Sequence, residues 1–178
     1  MSERGSMYRQ AMIAALGLAG VMLGVSYSKA AQPPTVSIRK LEALPIQVPA
    51  PYDTSADAEN QVKAALAKAK SEGKRVLIDM GGNWCPDCVI LSNVMRLPEV
   101  APFIATHYEV VLVDMGRFNK NMQIPKRFGV VERIEGAPAL LVLDSDGKLL
   151  DAGHLTDLDT ARTMQPQAIV DWLAKWAG

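Results

Sequence analysis

The residues best equipped for chemistry are Cys85 and Cys88, the only two cysteines of the 178-residue chain, set in Cys85-Pro86-Asp87-Cys88. A bond between them closes so small a loop that it barely restricts the unfolded chain, so its value is chemical rather than mechanical. With no other cysteine present, a framework of structural disulfides is excluded. Thiol-disulfide exchange and metal ligation remain. Exchange needs an accessible, acidic thiol that attacks and a second thiol that resolves the mixed disulfide. Pro86 suits the first position of a helix, where its missing N–H costs no hydrogen bond. Cys85 then stands at the helix amino terminus, where the free N–H groups and the helix dipole favour its thiolate. Cys88, one turn later, is the buried resolving thiol. The intervening Pro86 and Asp87 tune the pair: a negative Asp87 close to both sulfurs opposes thiolate formation and leans the couple toward reducing behaviour.

Asp79 precedes the pair at the end of the apolar run Val76-Leu77-Ile78. A carboxylate buried there has its pKa raised by desolvation and is placed to take the proton from Cys88 during resolution; the plainer alternative is an Asp exposed at the strand end. Trp84, beside Cys85, offers an apolar docking surface for a substrate or simply fills the core. The metal reading lacks ligands, because two thiolates make half a zinc site and the only histidines, His107 and His154, lie far apart in the chain. Val89 after Cys88 excludes the haem-attachment motif. No metal is expected.

The elements that hold these residues succeed one another along the chain. Asp53 to Asp57 supplies a helix start, with Thr54 and Asp57 in capping-box spacing, and Val62, Ala65, Leu66 and Ala69 recur on one face until Gly73. Arg75 to Met80 reads as a short buried strand. After the helix opened by Pro86, Pro98 forces a break; a short helix over Val100 to Ala105 and a strand over Val110 to Asp114 follow. Asn119 to Phe128 predicts a helix that Pro125 weakens. Ala139 to Leu143 is an apolar strand, Asp144-Ser145-Asp146-Gly147 a tight turn rather than a calcium loop, and Lys148 to Asp151 its returning partner. Gln165 to Trp176 is amphipathic, with Ile169, Trp172, Leu173 and Trp176 on one side. Arg117, Lys120, Lys126 and Arg127 make a local basic cluster that reads as a solvated helix face.

Residues 1–30 have the form of a secretory signal, with Arg4 and Arg9, the uncharged run Ala11 to Val25, and small residues at Ser28 and Ala30. That run falls short of the roughly 20 residues a spanning helix needs, so cleavage is the first reading and an uncleaved membrane anchor the second. Both send the following domain out of the cytoplasm, to the bacterial periplasm or its equivalent. Residues 31–53 carry Pro33, Pro34, Pro45, Pro49 and Pro51 and predict an extended arm able to add an edge strand. Residues 54–178 form one domain. Nineteen basic residues balance nineteen acidic ones, so no long-range field gathers nucleic acid.

A buried strand ending in Asp79, then Trp84-Cys85-Pro86-Asp87-Cys88, then Gly136-Ala137-Pro138 before an apolar strand: in order and spacing these resemble the thioredoxin superfamily, over roughly Ser55 to Trp176. The stretch Leu97-Pro98-Glu99-Val100 is more similar to its exported members than to cytosolic thioredoxin. Two features depart from thioredoxin: Pro86-Asp87 replaces Gly-Pro, and Asn93 stands where the kinking proline is found. The resemblance implies an α/β, three-layer thioredoxin fold with a mixed central sheet flanked by helices. It implies a cis Pro138 facing the cysteines and an Ala137 backbone that pairs with the substrate chain. It implies a thiol-disulfide oxidoreductase whose partners are protein thiols and disulfides and a membrane electron donor or acceptor. No organic cofactor is required, because the Cys85–Cys88 disulfide carries the two electrons. A metal-binding or metallochaperone protein, and a non-catalytic binding module of the same fold, are the alternatives.

Overall fold

The computed structural model describes residues 31–178; the expected signal or anchor at 1–30 lies outside the described residues. Eight principal elements alternate along the chain: α1 (Ala58–Glu72), β1 (Arg75–Gly81), α2 (Pro86–Val94), α3 (Ala101–His107), β2 (Tyr108–Asp114), α4 (Gln123–Arg127), β3 (Ala139–Leu143) and α5 (Pro166–Lys175). The sheet runs β2-β1-β3, with β1 parallel to β2 and antiparallel to β3. It is the mixed sheet of a three-layer α/β fold, and its central strand is apolar on both faces because helices cover both.

Strand parity decides what lies beneath α2. Val76, Ile78 and Met80 pack into one core with Val62, Ala65 and Ala69 of α1. Leu77 points the other way, into the core that holds Leu91 and Val94 of α2 and Ile169 and Leu173 of α5. With a side-chain period of two, Asp79 and Gly81 share the Leu77 face. Both therefore lie on the α2 side of the sheet.

Several local expectations are revised. The cap of α1 is Asp57 itself, which accepts from the Asn60 N–H at 3.1 Å, rather than Thr54. Gly73 ends that helix at φ 67°, a left-handed conformation that Gly adopts at little cost. The helix expected over 119–128 shrinks to α4, because Phe118 and Asn121 sit at positive φ just before it. The partner strand over 148–151 is a single bridge, Leu143 to Leu149. There the Asp151 side chain, not a backbone carbonyl, accepts from the Val142 N–H at 2.9 Å. The arm 31–53 contributes no strand: its prolines cannot donate to a ladder, and it is held by side chains instead. No helix among the described residues is long and apolar enough to cross a membrane.

Candidate functional site

Cys85 caps α2 in extended backbone, and Pro86 takes the first helical position. Cys85 and Cys88 are joined by a disulfide, their Cα atoms 5.3 Å apart. The Cys88 N–H points at Cys85 Sγ at 3.2 Å, so an orphan donor of the helix start is aimed at the sulfur that would carry charge on reduction. Cys88 is fully buried. Cys85, expected to be accessible, keeps only 3% of its surface, because the disulfide, Tyr52 and Ala137 crowd around it.

The Ala137–Pro138 peptide bond, just before β3, is cis. The Ala137 carbonyl oxygen lies 3.3 Å from Cys85 Sγ. Since a disulfide sulfur bears no proton, this is a contact now and a hydrogen bond only when Cys85 is a thiol. Ala137 thus presents its backbone directly to the sulfur.

Beneath the pair, Asp79 is fully buried rather than exposed at the strand end. Burial pushes its pKa up to about 7, against a lowering by the Tyr52 hydroxyl and by the charge of Arg96. The Tyr52 hydroxyl donates to Asp79 Oδ1 at 2.9 Å; Asp79 Oδ2 has no hydrogen-bond partner among the described residues.

Trp84 is partly exposed and held from behind. Its Nε1 donates to the Gly116 carbonyl at 2.6 Å, Phe118 packs on it at 5.9 Å between centroids, and the Arg117 guanidinium lies 4.9 Å over its ring. The loop that follows β2 therefore fixes the ring beside Cys85. The basic cluster is not a uniform solvated face: Lys120 pairs with Asp114, Arg127 with Glu59, and Arg117 with Trp84.

Asp87 departs from the expectation of a bare charge beside the sulfurs. Its carboxylate is buried against the 3-10 turn Ala161–Thr163, where it accepts from the Arg162 N–H at 2.8 Å and pairs with the Arg162 guanidinium at 3.1 Å. A buried carboxylate is retained only when compensated, and Arg162 both compensates this one and draws it into its own contacts.

Sequence reasoning missed three residues: Tyr52, Asn83 and Arg162. Asn93 was visible as a departure from the thioredoxin pattern, and its purpose is now plain. Buried in α2, its Oδ1 accepts from the N–H groups of Gln47 and Val48, while Nδ2 donates to the carbonyls of Val48 and Val89, all between 2.8 and 3.0 Å. Asn83 does the same for Tyr52, accepting from its N–H and donating to its carbonyl, both at 2.9 Å. Two asparagine clasps fasten the arm to the site. Among the described residues, no group of three or more His, Cys, Asp or Glu side chains is placed to hold a metal ion.

Residues 57–145, half of the chain, match the thioredoxin-like family, and the chain belongs to it. The matched residues take in β1, the cysteine helix α2 and the Ala137–Pro138 bond before β3. A disulphide isomerase from Xylella fastidiosa Temecula1 is 40% identical, with 70% of this chain and 95% of that one covered and a TM-score of 0.63. A protein of unknown function from Pseudomonas aeruginosa is 25% identical over 67% of this chain and 83% of its own, at a TM-score of 0.37. No curated protein matches. Family, fold and the disulfide at the helix start together support thiol-disulfide oxidoreductase chemistry in general terms.

Proposed function

We propose that this protein is an exported reductase of disulfides in other proteins, working outside the cytoplasm with Cys85 as nucleophile and Cys88 as resolving thiol. The observation that carries the reading is the Cys85–Cys88 disulfide at the start of α2, with the buried carboxyl of Asp79 linked to it through Tyr52. In the first step the Cys85 thiolate attacks one sulfur of the substrate disulfide; a Cys85–substrate bond forms, and the second substrate sulfur leaves as a thiolate. In the second step Cys88 gives its proton to Asp79, attacks Cys85 Sγ and releases the remaining substrate thiolate. Two electrons pass from the dithiol to the substrate. No organic cofactor takes part.

Trp84, Ala137 and Pro138 form the substrate side of the site, with Ala137 offering its carbonyl next to the sulfur under attack. Pro86 and Asp87 tune the couple. Asp87 still places a negative group in the first turn of α2, but its pairing with Arg162 softens the reducing lean. The Xylella relative bears the name of an isomerase, and isomerisation shares the first step with reduction. In an oxidising compartment the dithiol must be restored by a membrane protein that donates electrons.

The test is the reduction potential of the pair against a glutathione series, with a Cys88→Ser variant used to trap partners on Cys85. A reversible couple near about −270 mV supports a reductase, and one near about −120 mV reverses the direction. No reversible couple and no mixed disulfide would overturn the reading altogether.

A further inference from the structure

The proposed chemistry leaves one part of the site unused. The arm carries Tyr52 into the interior, where it is 2% exposed and packs against both Cys85 and Cys88. Gly81 shows how tight the convergence is: a Cβ built there would stand 2.7 Å from Tyr52 Cζ and 2.9 Å from Cys88 Sγ. Only a residue without a side chain lets the phenol and the sulfur meet over one α-carbon. On its far side the phenol reaches Asp79, hydrogen-bonding Oδ1 and leaving Oδ2 without a partner among the described residues.

Resting on the function proposed above, we infer that Tyr52 is a positioning residue for the resolving step: it holds Asp79 by Oδ1, so that Oδ2 is the oxygen that takes the proton from Cys88. The balance is simple. The S–H bond of Cys88 breaks and an O–H bond forms at Asp79 Oδ2; the Cys88 sulfur pair then makes the Cys85–Cys88 bond as the Cys85–substrate bond breaks. Tyr52 keeps its own proton throughout. Its role is to bias the carboxyl toward the anion, since a hydrogen bond donated to a carboxylate favours the charged form.

The groups facing Asp79 make this bias attributable. Leu112 of β2 and Leu140 of β3 are its register neighbours and carry no charge. Arg96, past the end of α2, lowers its pKa through charge alone. Burial first, then Asp79, push the pKa of Tyr52 well above its usual value, with Arg96 opposing and Asp114 at the end of β2 adding a little. The hydroxyl of Tyr52 is the only side chain among the described residues that hydrogen-bonds Asp79. The arm is held in register by Asn83 and Asn93, so the placement of this hydroxyl is not accidental crowding.

The experiment is stopped-flow reaction of the reduced full chain with 5,5′-dithiobis(2-nitrobenzoate), from pH 5 to pH 10. Release of the second nitrothiobenzoate reports attack by Cys88 on the mixed disulfide. In Tyr52→Phe the pH midpoint of this phase should rise by about one to two units, from loss of a hydrogen bond to a charged group. The rate well below the midpoint should fall at least about tenfold, and the wild-type plateau should return at high pH. An unchanged profile, or a uniform loss of rate at every pH, would overturn the inference. Infrared titration of the Asp79 carboxyl, which needs no turnover, must show the same upward shift; its absence also overturns it. Asp79→Asn separates the two levels of the argument. If that variant keeps the wild-type profile, the proton-acceptor role in the proposed function fails. If it loses the titration while Tyr52→Phe does not shift it, only the present inference falls.

Discussion

Asp79 and Asp151 are both carboxylates sealed inside the fold, each with one oxygen held by a hydrogen bond and Oδ2 unpartnered among the described residues. Desolvation raises both, Asp79 to about 7 and Asp151 to about 6. Their partners differ. Asp79 is held by the phenol of Tyr52, beneath the disulfide, on the central strand. Asp151 accepts from the Val142 N–H and so closes a hydrogen bond at the outer strand β3, where a returning strand would otherwise stand. A displaced pKa marks burial and does not by itself mark chemistry. What sets Asp79 apart is that its hydrogen-bond partner, Tyr52, packs against the Cys85–Cys88 disulfide, whereas the partner of Asp151 is a backbone N–H.

The two carboxylates should therefore not behave alike. The largest contrast should be kinetic: Asp79→Asn is expected to slow the Cys88 step at pH 7 by about a hundredfold, the usual scale for a lost general base. Asp151→Asn should leave it within about twofold, measured in the same stopped-flow assay.

Stability provides the next contrast. A carboxyl whose folded pKa lies above its unfolded value binds its proton more tightly when folded, so the fold loses stability as pH rises from about 4 to about 7. For Asp79 that penalty is about 4 kcal/mol once pH exceeds 7. Urea unfolding of oxidised Asp79→Asn should therefore show a gain approaching that size at pH 8 and almost none at pH 4.

Asn93→Ala sharpens the contrast from the arm. Four hydrogen bonds disappear and backbone groups of the arm lose their partners, a cost of about 3 kcal/mol by urea unfolding. Because the arm carries Tyr52, the pH profile of the Cys88 step should also move upward. Asp151, whose hydrogen bond comes from Val142 and not from the arm, should not respond.

A smaller gain in stability belongs to Asp151→Asn. Its folded pKa of about 6 already contains the Val142 N–H hydrogen bond, so by the same linkage relief of the buried charge gives about 3 kcal/mol at pH 7. A net loss at pH 7 would show that the edge hydrogen bond outweighs desolvation.

Much of the site was legible in the residues themselves. Cys85-Pro86-Asp87-Cys88 announces a helix start because proline fits its first position and a cysteine fits its cap. Asp79 was legible because an acidic residue ending the run Val76-Leu77-Ile78 has nowhere polar to go. Tyr52 was not, since a tyrosine among prolines carries no local signal of where the arm will lie. The charge state around Asp87 was equally hidden, because Arg162 lies far along the chain and reaches it only through the packing of the Ala161–Thr163 turn on α2.

Local chemistry thus determined the cysteine pair at a helix start, the central strands and the helices that flank them, because each is written in the spacing of neighbouring residues. Which groups would surround the disulfide was decided only when the chain closed. Strand parity turned Asp79 and Gly81 toward α2, two asparagines fastened the arm to the site, and the Ala137 carbonyl met Cys85. Those contacts join distant segments, and their geometry exists only once the sheet and the two layers upon it are packed.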